Sequence, residues 1–154
     1  MCGVGQSRKG GAALTVRLQV TTLVAGTAAA KTLVLSEPLS FWGGLDSASG
    51  RIIDQWHPQK EEVMSGRILV MRAGRGSSSG SSVLAEALRR ETGPAAIVLF
   101  SRDAIVTVGA MVAAELYGKS CPVALAQEAD WSAIAGAAYL AIDAGERVAT
   151  IEVD

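Results

Sequence analysis

The chain has 154 residues, 49% of them hydrophobic and 19% charged, with a formal net charge of -1. This composition fits one globular domain with a substantial core and excludes a disordered or fibrous chain. The basic residues are scattered, so there is no electrostatic footprint for nucleic acid or an anionic membrane.

Residues 1–12, rich in glycine and basic residues, read as a loose tail ahead of a single domain over 13–154. Arg8 and Lys9 before an apolar stretch imitate a secretory signal. However, Leu14, Val16, Leu18 and Val20 alternate with Thr15, Arg17, Gln19 and Thr21, the period of a half-buried strand. No apolar run approaches the length of a membrane span, so a soluble, cytoplasmic protein is expected.

"AGTAAAK" then reads as a turn-like joint and "TLVLS" as a second strand. "EPLSFWGGLDSASG" is a long loop, "RIID" a short strand, and "QWHPQKEEVMSG" a polar loop in which His57 is expected to be solvated. "RILVMR" is a strand that runs directly into "AGRGSSSGSS", followed by a helix from about Ser82 to Glu91. "TGP" stops it, "AAIVLF" is the next strand, and a helix over Ala104–Tyr117 is bracketed by Asp103 as N-cap and Gly118 as the C-terminal glycine. After strand "CPVAL", Asp130 is expected to cap a helix "WSAIAGAAYLAI", and "RVATIEV" is the last strand. The order predicts an α/β domain in which a β-rich front half packs beside a βαβ half, with a partly parallel sheet covered by helices.

Cys2 and Cys121 are far apart, and neither lies in a CxxC or near a histidine at ligand spacing, so a disulfide framework or a complete metal site within this chain is not expected. His57 alone cannot build a Ser/His/Asp triad unless a serine and an aspartate converge on it.

The stretch "GRGSSSGSS" supports three readings. It can be a flexible linker, although apolar elements flank it on both sides. Gly74, Gly76 and Gly80 can form a phosphate or dinucleotide cradle at a helix N-terminus, but the spacing is GxGxxxG and no Walker lysine follows. In that case Asp103 is the candidate ribose-binding acid. Third, a serine hydroxyl held at a helix N-terminus beside Arg72 or Arg75 can be a base or nucleophile, because the positive field favours its ionised form.

Three separated runs, "LVLSEPLSFWGGLDSASGRIIDQWHPQ", "SGRILVMRAGRGSSSGSSVLAEAL" and "AAIVLFSRDAIVTVGAMVAAELYG", resemble the small, swivelling-domain subunit of the aconitase X family. The resemblance covers roughly residues 20–125. It implies a three-layer β/β/α swivel domain that closes over an active site on a larger partner. In the wider superfamily a Gly-Ser-Ser-Arg element carries the catalytic base, and the matching residues here are Gly76, Ser77 and Ser78, which makes Ser77 the expected base. Ser79 stands where those relatives have arginine, so Arg75 is the expected replacement as carboxylate clamp, with Gly76 and Ser78 beside it. Ser40, Gly43 and Gly44 in "SFWGGLD" are further substrate-side expectations, and Phe41 and Trp42 either wall a pocket or pack in the core.

The implied chemistry is loss of water from a small hydroxy acid, with iron or an iron–sulfur cluster on the large subunit and no cofactor bound by this chain alone. Two cysteines are too few for a cluster, which needs about three or four thiolates. Two activities go with the family: dehydration of cis-3-hydroxy-L-proline, which the "FWGG" variant and the Ala-rich helices favour here, and dehydration of mevalonate 5-phosphate. From a different class, a non-catalytic nucleotide-binding or regulatory module remains open.

Overall fold

The computed structural model describes residues 15–154, so the expected tail over 1–12 lies outside the described residues. Nine strands and four short-to-medium α-helical segments are present among them. Seven strands form one sheet that closes on itself in the order β1-β7-β6-β5-β2-β8-β9. They are β1 (Val16–Val24), β2 (Gly26–Val34), β5 (Ile68–Val70), β6 (Ala96–Leu99), β7 (Val123–Leu125), β8 (Tyr139–Ala144) and β9 (Val148–Val153). The remaining pair, β3 (Leu45–Asp46) and β4 (Arg51–Ile52), makes a small hairpin.

Closure corrects the three-layer expectation. β2, β5, β6 and β7 are mutually parallel, whereas β1, β8 and β9 join by antiparallel pairing. The two nine-residue strands serve both halves: β1 pairs with β9 over Val16–Thr21 and with β7 from Thr21 onward, and β2 pairs with β8 over Gly26–Lys31 and with β5 over Thr32–Val34. The two β layers are thereby fused along both edges, with the helices outside one of them.

Alternation along the strands divides the core in two. Ile68, Val70, Ala96, Val98 and Ala124 point inward with Leu140, Ile142, Ala149 and Ile151 to fill the barrel. Leu69, Met71, Ile97, Leu99 and Val123 point outward and pack against Leu84, Leu88, Val106, Ala110 and Ala113 of the helices α2 (Gly80–Arg89) and α3 (Ala104–Tyr117). Leu39, Phe41, Leu45, Ile52 and Met64, from the excursion between β2 and β5, extend this second core.

Several local expectations change. "AGTAAAK" is strand, not joint: alanines with no strong preference are held extended by hydrogen-bonded neighbours. The helix expected over "WSAIAGAAYLAI" is α4 (Trp131–Ala135) only, after which Tyr139–Ala144 is β8, because Leu140, Ile142 and Ala144 alternate into the barrel. Asp130 makes no side-chain cap. Asp103 does: its carboxylate accepts from the N–H groups of Ile105 at 2.9 Å and Val106 at 3.1 Å, and Gly118 ends α3 in the left-handed conformation. α2 begins at Gly80, two residues earlier than its pattern suggested.

His57 is not solvated. It is 5% exposed; its Nε2–H donates to the Glu37 carbonyl at 2.9 Å and its Nδ1 accepts from Gln59 N–H at 3.1 Å. Through both ring nitrogens it staples the excursion together. Among the described residues, no helix is long and apolar enough to cross a membrane.

Candidate functional site

Three neighbouring parallel strands end on the same side of the sheet, and the loops that follow them meet. β2 leads to Leu39 and Ser40, β5 leads to the glycine-serine stretch, and β6 leads to Asp103. The carboxyl ends of parallel strands are where α/β sheets place ligand sites, because the loops there diverge from a rigid base. The contact between the first two loops is specific: Leu39 bridges Gly74 in parallel, and Arg75 N–H donates to the Leu39 carbonyl at 3.2 Å. A linker is not tied down in this way.

Gly76 has φ 98°, a conformation that L side chains avoid, and a Cβ there would lie 2.6 Å from the Ser40 hydroxyl. Gly74 is pressed against Asp103, whose carboxylate leaves no room for a side chain at that position. With one carboxylate oxygen capping α3 and the other against Gly74, Asp103 fixes the loop, which argues against a ribose-binding role. The dinucleotide reading thereby loses its acid.

Ser77 is exposed, and its Oγ accepts from Ser79 N–H at 3.2 Å. The carbonyls of Ser77 and Ser78 accept from Gly80 and Ser81 as the chain enters α2. The N–H groups of Gly76, Ser77 and Ser78 have no partner among the described residues, and neither do the side chains of Arg75 and Ser78. Four exposed residues thus present unpaired donors at the positive end of α2.

The other arginine of this loop and the one on β4 are engaged. Arg72 pairs with Glu128 at 3.0 Å and stacks on Trp131, 3.8 Å from the ring centroid, so it does not serve Ser77. Arg51 pairs with Glu61 at 3.2 Å. Arg75 is left as the free guanidinium of this loop.

Of the expected "SFWGGLD" residues, Ser40 meets Gly76 of the serine loop, and the Ser40 hydroxyl donates to the Trp42 carbonyl at 3.1 Å. α1 (Phe41–Gly44) is a single turn with Trp42 at φ -69°, ψ 114° and Gly43 at φ 77°, ψ -12°, the dihedral pair of a type II turn. The aromatic pair separates: Phe41 is 2% exposed in the core, and Trp42 is 60% exposed. Gly44 is buried under Leu39 and faces Asp54, away from the serine loop, so it supports the turn.

Between the loops is a crevice of about 10 Å³ lined by Leu39, Phe41, Gly74, Arg75, Ser77 and Asp103 among others. That is room for about one water. A wider groove of about 740 Å³ lies on the outer face of the antiparallel strands, between Arg17, Thr27, Asp143 and Glu152, and holds none of the expected site residues. Leu39 was missed as a site-building residue. Asp103 was expected as a cap or as a ribose-binding acid, and its packing against Gly74 is the part that the sequence did not show.

Among the described residues, no group of three or more His, Cys, Asp or Glu could hold a metal. Cys121 is fully buried, and burial pushes its thiol up to about 12. The described side chains do not fit an iron centre.

Comparison with known proteins bears on the family and the fold. A region of the cis-3-hydroxy-L-proline dehydratase of Pseudomonas aeruginosa is 48% identical over 103 residues, covering 67% of this chain and 18% of the relative. The phosphomevalonate dehydratase small subunit of Methanothermobacter thermautotrophicus is 43% identical over 81 residues, covering 53% of this chain and 62% of the relative. This chain therefore spans about a fifth of the first relative and under two thirds of the second. The crystal structure of Thermococcus kodakaraensis aconitase X in its holo form superposes with a TM-score of 0.74 at 26% identity, covering 88% of this chain and 98% of that one. Residues 17–153 match the aconitase X swivel domain, and the chain belongs to that family.

Proposed function

We propose that this chain is the swivel component of an aconitase X-type hydro-lyase that removes water from cis-3-hydroxy-L-proline, with Ser77 as the base. The observation that carries the reading is the exposed Ser77 hydroxyl, which receives an N–H bond from Ser79 and is flanked by unpaired N–H groups and the free Arg75. These donors stabilise negative charge on the serine oxygen when it is ionised. Arg75 and the N–H groups of Gly76 and Ser78 are suited to a substrate carboxylate.

The step assigned to this chain is short. The Ser77 oxygen takes the proton from the carbon that bears the carboxylate, the freed electron pair forms the ring double bond, and the hydroxyl on the neighbouring carbon departs. Lewis-acid help for that hydroxyl belongs, in this reading, to iron or an iron–sulfur cluster on a larger partner. A crevice with room for about one water cannot enclose a proline-sized substrate, which supports a site completed by that partner.

Mevalonate 5-phosphate is the second candidate substrate, since relatives with that name share 43% identity. A phosphate plus a carboxylate asks for more than one cation; Arg72 and Arg51 are already paired, whereas Arg102 in the loop after β6 is exposed and makes no ion pair among the described residues.

Co-expression with a larger aconitase X subunit and assay of both substrates tests the reading. Ser77→Ala in that complex is expected to lower turnover about 10²- to 10⁴-fold, the range for a lost general base. Intact turnover in Ser77→Ala overturns the mechanism.

A further inference from the structure

The geometry points to the outer face of α3 as a self-association seam: two copies of this chain pair there, with their α3 helices antiparallel about a twofold axis. The inference is independent of the dehydratase reading and of the substrate.

α2 and α3 lie in one layer, yet their solvent sides differ. α2 carries Ser82, Glu86 and Arg89 on that side. α3 carries Ala104, Val108 and Met111, spaced four and then three residues apart and therefore on one stripe, with Val108 47% and Met111 49% exposed. Glu115 continues the stripe one turn further and is the only charged residue of the helix. A helix that is apolar on every side is normally covered on every side.

Two unpaired charges and a hollow say what covers it. Arg102 precedes the stripe and Glu115 ends it; both are exposed, and neither makes an ion pair or side-chain hydrogen bond among the described residues. Within one chain they stand about 20 Å apart along the helix axis, too far to pair with each other. In an antiparallel copy each lies opposite the other, so a single register forms both ion pairs. That register also sets Met111 of each copy at the level of Val106 of the other. At that level the surface holds a hollow of about 260 Å³ lined by Leu23, Arg102, Asp103, Ala104, Thr107 and Val108. A methionine, unbranched and flexible, is suited to fill it. Charge and shape thus select the same register independently. A seam of one helix per copy falls short of the roughly 1,200 Å² of a stable interface, so the association is weak and concentration-dependent.

The test is sedimentation equilibrium of the full chain with a reductant present, which keeps Cys2 from cross-linking copies. The average mass is expected to rise from that of one chain toward that of two between about 10 μM and about 1 mM, the range of a weak interface. Met111→Glu, which puts a carboxylate into the hollow of the other copy, is expected to weaken association at least about 10-fold. Arg102→Glu and Glu115→Arg are each expected to stay monomeric, because each brings like charges together at both ends of the seam. An equimolar mixture of the two is expected to associate, since both ends then carry opposite charges. Misfolding of either variant does not imitate that recovery. A wild-type chain that stays monomeric at the highest concentration overturns the proposal, as does a mixture no more associated than its components. Wild-type association that Met111→Glu leaves intact also overturns it and places the seam elsewhere. So does a monomeric wild type whose Met111→Glu variant no longer co-purifies with a larger aconitase X subunit, a result that gives this face to that partner.

Discussion

The barrel has two unlike halves. In the parallel half, β5 and β6 are buried on both faces, inward against the barrel filling and outward against α2 and α3. In the antiparallel half, β8 and β9 are buried on one face only, and their other face carries Tyr139, Ala141, Asp143, Thr150 and Glu152 toward solvent. The candidate site belongs wholly to the first half. A layer braced on both sides holds its loop ends in place, and three such ends meet at Ser77. The antiparallel half supplies the opposite wall of the barrel and no site residue.

The largest expected effect at the junction of the site loops comes from Gly74→Ala. The new Cβ runs into the Asp103 carboxylate, so either the cap of α3 or the loop carrying Ser77 must move. A displacement of about 1 Å of a reacting group costs on the order of 10²-fold in rate, and turnover of the complex is expected to fall by that order. A variant with normal turnover and melting temperature shows that the loop has slack the contact denies.

Leu84→Ala and Leu140→Ala compare the two cores directly. Both side chains are fully buried, Leu84 on α2 and Leu140 inside the barrel on β8. Each truncation is expected to cost about 2–5 kcal/mol in denaturant unfolding. Activity separates them: Leu84→Ala loosens the helix whose N-terminus carries the serine loop, so the folded fraction also loses turnover, while folded Leu140→Ala keeps it. Equal losses erase the division of labour between the halves.

These halves differ in legibility for the same reason. "ILV" and "AIVL" are short apolar runs because both faces are covered, and they read as buried strands at once. β2 did not: "GTAAAK" has a single β-branched residue, Thr27, among alanines, and its extension comes from β8 on one side. β8 hid because its alternation of Leu140, Ile142 and Ala144 follows an alanine-rich helix without a break. His57 read as solvated because neither of its backbone partners is visible in a linear pattern. At the site, local pattern yielded the strand, the loop and the cap at Asp103. Ser77 itself came from resemblance to aconitase X. The contacts of Ser40 with Gly76 and of Asp103 with Gly74 required the order β2-β5-β6, which nothing local encodes.

Smaller effects probe the same asymmetry. Asp103→Ala removes the N-cap of α3 and is expected to cost about 1 kcal/mol, while Asp103→Asn, which keeps an accepting oxygen, costs less. Cys121 lies in the helix-side core, and its thiol is pushed up to about 12 by burial. In a Cys2→Ser background it is expected to resist a disulfide reagent at pH 8 until the protein unfolds. Because the folded thiol holds its proton more tightly than the unfolded one, its stabilising contribution is complete below pH 9.0 and is lost as pH rises toward 12. Rapid labelling at pH 8 means that the helix layer opens without global unfolding.

The smallest effect is expected on the bare face of the antiparallel half. Arg17 on β1 pairs with Glu152 on β9 at 3.0 Å, with side chains 72% and 40% exposed. Water screens such a pair, and holding two long side chains in one geometry has an entropic cost, so Arg17→Ala is expected to change unfolding free energy by less than about 0.5 kcal/mol. Measured in the assembled complex, the same substitution asks a different question. If this face stays exposed there, stability and turnover both remain flat. A loss confined to the complex places a partner over the groove between Arg17 and Asp143, and the antiparallel half then gains a docking role that its polar outer surface does not announce.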